Sequence, residues 1–139
     1  MGRRRASPLD EALARVGDRW TLLLVDALLD GPRRFKELEV ELPGIAPNVL
    51  SQRLRHLERE GLVVAQPYSE RPRRVVYELS ARGRELAGAL RLLAEWGAGH
   101  ANDEALRHAA CGTTLEARWY CETCECAVDE GETVDVHYV

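Results

Sequence analysis

The amino-acid sequence predicts an α+β fold that is mainly α: five helices around one modest core, a β-hairpin after the fourth, and a small β element behind the last. Three observations predict it. Apolar residues recur at helical spacing in five stretches between residues 7 and 97, most of them bounded by cap or stop residues. Two short runs rich in valine follow the fourth stretch and are separated by a basic, proline-containing segment. All four cysteines fall within the last 29 residues. The chain therefore divides into a helical domain over residues 7–99 and an extension over residues 100–139.

The first helix starts at Ser7, a capping residue, with Pro8 at its first position, and carries Leu9, Ala12, Leu13 and Val16 on one stripe until Gly17 ends it. Trp20 to Leu29 is apolar on most faces, which predicts a buried second helix, closed by Gly31 and Pro32. A short third helix runs from about Phe35 to Glu41, and Pro43 with Gly44 makes the next turn. The fourth begins at Pro47 with Leu50, Leu54 and Leu57 on its inner stripe. At about 100° per residue, Asn48, Gln52, Arg55 and Arg59 then share the opposite face, flanked by Ser51, Arg53 and His56. Leu62–Ala65 and Val75–Leu79 read as strands, and Gln66 to Arg74 as the tip of their hairpin. Ser80 caps one long last helix with Leu86, Leu90, Leu93 and Trp96 as its stripe, ended by Gly97 and Gly99.

The net charge of −4 conceals an asymmetry. Residues 1–85 hold 16 basic and 13 acidic side chains, a balance of +3, whereas residues 86–139 hold 3 and 10, a balance of −7. The first part can meet an anionic partner while the acidic tail lies away from it. The longest apolar run, around Leu22–Leu29, is interrupted by Asp26 and is far short of the roughly 20 residues of a membrane span. Arg3, Arg4 and Arg5 are followed by Leu9-Asp10-Glu11 rather than an apolar stretch, so no secretory signal is expected. The expectation is a cytoplasmic protein with reduced cysteines and no membrane partner.

Helix, helix, turn, helix and then a hairpin with an arginine-rich tip is the order of a winged helix-turn-helix, whose fourth-stretch helix enters the major groove of DNA. Asn and Gln pair bidentately with adenine, and Arg with guanine. Asn48, Gln52 and Arg55 are thus the candidates for base contact, with Ser51 beside them. Arg53 and the wing residues Arg71, Arg73 and Arg74 are candidates for phosphates, which add affinity and salt dependence without sequence information. An isolated helix with such a polar face reads more simply as solvated surface; the basic hairpin directly after it favours DNA.

Gly17-Asp18-Arg19-Trp20-Thr21, Gly31-Pro32-Arg33-Arg34-Phe35-Lys36-Glu37-Leu38, the run Leu50 to Val63 and Tyr77-Glu78-Leu79-Ser80 resemble the HxlR-type family of bacterial regulators. The resemblance covers residues 9 to 97. It implies a homodimer, with the first and last helices at the interface and two reading helices in successive major grooves of a pseudo-palindromic operator. The stripes Leu9, Leu13, Val16 and Leu86, Leu90, Leu93, Trp96 suit that interface equally with an internal core. Some members of the family sense oxidants through a cysteine near the first helix; this chain has none before Cys111, which excludes that route. Ala46 also stands where a capping Ser or Thr would hold the reading helix.

In the extension, His108-x-x-Cys111-Gly112 and Cys121-x-x-Cys124 are two ligand pairs of metal-knuckle spacing, joined by the nine residues Gly112 to Tyr120. A zinc-ribbon-like β element holding a structural Zn2+ through His108, Cys111, Cys121 and Cys124 is expected, since some 30 residues cannot bury enough apolar surface to fold alone. Cys126 in place of His108 is the alternative set, and a redox pair using Cys124 or Cys126 is a third. His100 and His137 have no ligand spacing.

The function expected is a sequence-specific transcriptional regulator, a repressor by preference, with a protein-interaction module or a metal- or redox-responsive regulator as the alternatives. Catalysis is not expected, because a metal with four protein ligands has no open position for substrate.

Overall fold

The computed structural model describes residues 5–99 and 106–128, in two compact units, Met1–Leu90 and Arg91–Val139. Helix α1 spans Pro8–Val16, α2 Arg19–Leu29, α3 Phe35–Glu41 and α4 Pro47–Arg59. Strands β1 (Arg33–Arg34), β2 (Val63–Glu70) and β3 (Arg73–Leu79) form an antiparallel sheet in the order β1-β3-β2. Two helices, α5 (Ala81–Arg84) and α6 (Ala87–Ala98), follow, and a second sheet pairs β4 (Trp119–Cys121) with β5 (Cys126–Val128).

The helix starts are chemically defined. Ser7 and Asp10 form a reciprocal capping box, the Ser7 hydroxyl accepting from the Asp10 amide at 3.1 Å and the Asp10 carboxylate from the Ser7 amide at 3.2 Å. Asp18 caps α2 by accepting from the Trp20 and Thr21 amides at 3.0 and 3.1 Å. The core of the first unit joins Leu24, Val25 and Leu28 of α2 to Leu38 of α3, to Leu50, Leu54 and Leu57 of α4, and to Leu62, Val63 and Leu79 at the root of the hairpin. The three α4 leucines are each at most 1% exposed, as their i, i+4, i+7 spacing requires. Each contributes on the order of 1.5–3 kcal/mol by burial.

Three elements differ from the sequence expectation. Strand β1 is only two residues long and exists because Arg33 and Arg34 pair with Tyr77 and Val76. The hairpin is longer than expected: Gln66, Pro67, Ser69, Glu70, Arg73 and Arg74 are in the ladder, which irregularly passes Tyr68, and only Arg71 and Pro72 turn the chain. The single last helix is two, broken at Glu85 and Leu86. Gly99, at φ +67°, follows the end of α6, whereas Gly97 lies within it.

The root of the hairpin is closed by Ser80, which donates its hydroxyl to the Gly61 carbonyl at 2.6 Å and accepts from the Gly83 amide at 3.1 Å. Gly83 is buried, and a Cβ there would collide with the Leu62 carbonyl, which already accepts from the Ser80 amide at 2.9 Å. Gly83→Ala is therefore expected to destabilise the fold by about 1–3 kcal/mol despite alanine's helix preference. A denaturant midpoint equal to the parent's would refute this packing.

Candidate nucleic-acid interface

Helix α4 presents two faces. Its inner face is the leucine stripe; Asn48, Gln52, Arg55 and Arg59 are all exposed on the outer one, and Ser51 is half-buried at its edge. Ala46 is the residue before the first turn and makes no side-chain cap, so no side chain satisfies the leading amides of α4 at that position. The helix orientation is braced from behind. His56 donates Nε2–H to the Arg15 carbonyl of α1 at 2.6 Å. Arg53 differs from its exposed neighbours: its Nε lies 3.1 Å from the Asp18 carboxylate, so it ties α4 to the cap of α2.

The wing carries Arg71, Arg73 and Arg74, all exposed, with Arg73 opposite Glu70 and Arg74 opposite Ser69 in the ladder. Arg73 and Arg74 line a groove with Tyr68 of the wing and with Arg34, Phe35 and Lys36, where β1 passes into α3. Arg34 and Lys36 were not singled out from the sequence as interface residues. The only sequence signal for them is the basic spelling of Pro32 to Lys36, and it acquires meaning once β1 lies against β3. Arg34 donates to Glu37 at 2.7 Å, a contact that lowers the Glu37 carboxyl from its ordinary value. Lys36, at the start of α3, has its ammonium 3.6 Å from Glu39 and is otherwise open to solvent. On the other side of the sheet, burial raises the Tyr77 phenol above its ordinary value, with a smaller push from Glu58 of α4.

The cysteine cluster is in the second unit. His108 Nδ1 and Cys111 Sγ lie 3.3 Å apart, and the Thr113 hydroxyl, its backbone and then His108 hold the Cys111 thiol below its ordinary value. The Cys121 thiol is likewise lowered, by the backbone and then the side chain of Cys124. His108 and Cys111 are thus in contact across the first turn, and Cys126 stands opposite Cys121 in the β4–β5 ladder. Among the described residues, no three His, Cys, Asp or Glu side chains gather in range of a single ion. His100 and His137 lie outside the described residues. No helix among the described residues is long and apolar enough to cross a membrane.

Comparison with known proteins agrees with this geometry. The HTH-type transcriptional regulator YodB of Bacillus subtilis is 33% identical over 96 residues, covering 69% of this chain and 86% of YodB. An uncharacterized HTH-type transcriptional regulator of Mycobacterium tuberculosis is 40% identical over 123 residues, 81% of this chain and 74% of that protein, a longer match than the winged domain alone. Among solved structures, the putative HTH-type transcriptional regulator ytcD superposes with a TM-score of 0.63 at 37% identity, covering 68% of this chain and 96% of its own. The redox regulator HypR in its reduced form gives 0.63 at 34% identity, covering 66% and 90%. The family model described as HxlR-like helix-turn-helix matches residues 15–105. The chain belongs to the HxlR-like helix-turn-helix family and is a DNA-binding transcriptional regulator.

Proposed function

We propose that the protein acts in the cytoplasm as a homodimeric repressor whose two α4 helices read successive major grooves of a pseudo-palindromic operator. The observation that carries this reading is the outer face of α4. Asn48, Gln52 and Arg55 project from it beside a wing that ends in arginines, while the opposite face is locked into the core. Asn48 and Gln52 supply the paired donor and acceptor that adenine accepts, and Arg55 the fork that fits guanine. Ser51 contacts the groove edge. An operator phosphate at the start of α4 would satisfy the amides that Ala46 leaves uncapped. Arg71, Arg73 and Arg74 follow the phosphates beside the groove. Arg53 reaches the backbone only past its Asp18 ion pair, so its share of affinity is the smallest of the set.

For the dimer, the apolar stripes divide. Val16 and Leu90 are buried in the core and Leu86 packs against it, whereas Leu9, Leu13, Leu93 and Trp96 are exposed, Trp96 by 82%. Those exposed side chains on α1 and α6 are available to a second copy.

The test is competition binding to the protein's own promoter region against random duplex at physiological salt. Gln52→Ala and Arg55→Ala are each expected to lose about 1–3 kcal/mol of that preference, roughly 5- to 150-fold, with little change for random DNA. A parent protein without any preference, together with a silent Gln52→Ala, would sink the reading. Repression itself is read from a promoter fusion, whose output is expected to rise when the regulator is deleted.

A further inference from the structure

Residues 106–128 form turns, and no buried core is found among the described residues of the second unit. None of residues 106–128 is buried, and its largest apolar groups, Trp119 and Tyr120, are 68% and 63% exposed. Two three-residue strands and a single bridge between Arg107 and Thr114 are the regular structure of residues 106–128. Apolar burial of that extent does not offset the conformational entropy of ordering the segment, at about 1–2 kcal/mol per residue.

The two turns nevertheless share a construction. In the first, the Gly112 amide donates to the His108 carbonyl and the His108 amide to the Thr113 carbonyl, both at 2.8 Å. This wraps His108 and Cys111 toward one another, and Gly112 follows at φ +72°. In the second, the chain reverses between Cys121 and Cys126, which pair across the β4–β5 ladder, and Glu125 follows Cys124 at φ +52°. Each turn therefore presents donors at i and i+3 and then enters the left-handed region at the next residue. Glu125 is the one non-glycine residue with positive φ among those described. A side chain there costs on the order of 1–3 kcal/mol and persists only where its surroundings over-determine it. Among the described residues of the hairpin none is buried, so none supplies such surroundings.

We propose that the second unit binds one zinc-class divalent ion through His108, Cys111, Cys121 and Cys124, and that closure of the two turns on this ion takes the place of a core. One imidazole and three thiolates are a donor set that suits tetrahedral Zn2+ over harder cations. Each turn brings two donors together, and the ion unites the two pairs. Binding deprotonates the three thiols, and their protons pass to solvent as three S–metal bonds and one N–metal bond form. Cys126 follows the left-handed residue and lacks the i, i+3 spacing that Cys121 and Cys124 share with His108 and Cys111, which places it outside the set.

The test uses the full chain, purified reduced, reloaded with zinc sulfate and dialysed, with metal measured by elemental analysis. About one equivalent per chain is expected. Cys111→Ser and Cys124→Ser are each expected to fall below half an equivalent, and Cys126→Ser to keep the parent value. Cobalt(II) in place of zinc is expected to show the visible absorption bands of a tetrahedral thiolate site in the parent and in Cys126→Ser. A parent below half an equivalent overturns the proposal. So does retention by Cys111→Ser or Cys124→Ser, or loss by Cys126→Ser with its circular dichroism intact. Promoter binding by the first unit is a separate readout, and its failure leaves the metal result standing.

Discussion

Replacing Arg71, Arg73 and Arg74 together by alanine is expected to weaken binding to operator and random duplex alike and to flatten its salt dependence. These side chains are exposed at and beside the wing tip, where they can reach phosphates. Each phosphate contact releases counterions worth a slope of about 0.9 in log K against log salt, so the triple variant should lose about 2.7. Because the effect is electrostatic, it should shrink as salt rises, and the ratio of operator to random affinity should stay near the parent's. Binding isotherms over a salt series on both duplexes measure it. A triple variant that loses preference for the operator but keeps its salt slope would place the arginines at base edges, contrary to their assignment to the backbone. Arg55→Ala is the opposite signature, a loss confined to the operator. The two variants together separate what positions the protein from what specifies its site.

How much of this interface was legible follows from the range of the contacts that build it. The outer face of α4 was legible because a helix repeats every 3.6 residues. Once Leu50, Leu54 and Leu57 are assigned inward, Asn48, Gln52 and Arg55 have only one direction left. The capping of α1 by Ser7 and the shape of each Cys turn are likewise local, decided within three or four residues. Strand β1 was not legible. Two arginines in a row carry no β pattern, and their strand character comes from Tyr77 and Val76, far along the chain. The wing was underestimated for a related reason. Pro67, Glu70, Arg73 and Arg74 are poor strand formers by composition, yet in an exposed two-stranded arm only the ladder is needed to hold them, and the irregularity at Tyr68 absorbs the mismatch. On a helical wheel Arg53 lies on the flank of that face as a free cation, and nothing local marks it as engaged. Its engagement depends on Asp18, which α2 brings under it, and the same holds for His56 with the Arg15 carbonyl. Side-chain types and spacing thus located the exposed polar face of α4, whereas tertiary placement decided which cation beside it is already committed.

Leu54→Ala provides the complementary test, because it acts on the same helix from the other side. Leu54 is 1% exposed, and truncating it is expected to destabilise the domain by about 2–5 kcal/mol, depending on how far the core collapses into the space. Against a total stability of about 5–15 kcal/mol for a domain, that is a large share. Gln52, two positions earlier and exposed, makes no core contact, and Gln52→Ala is expected to stay within about 0.5 kcal/mol of the parent. The pair therefore dissociates folding from reading. In thermal melts without DNA, Leu54→Ala should fall well below the parent and Gln52→Ala should coincide with it. With saturating operator, Leu54→Ala should recover part of its deficit, because ligand that binds only the folded state raises stability by mass action. Gln52→Ala should gain least from the operator, since its defect is in the affinity itself. If Leu54→Ala instead melted like the parent while losing operator preference, Leu54 would be part of the reading face and the assignment of the two faces of α4 would be reversed.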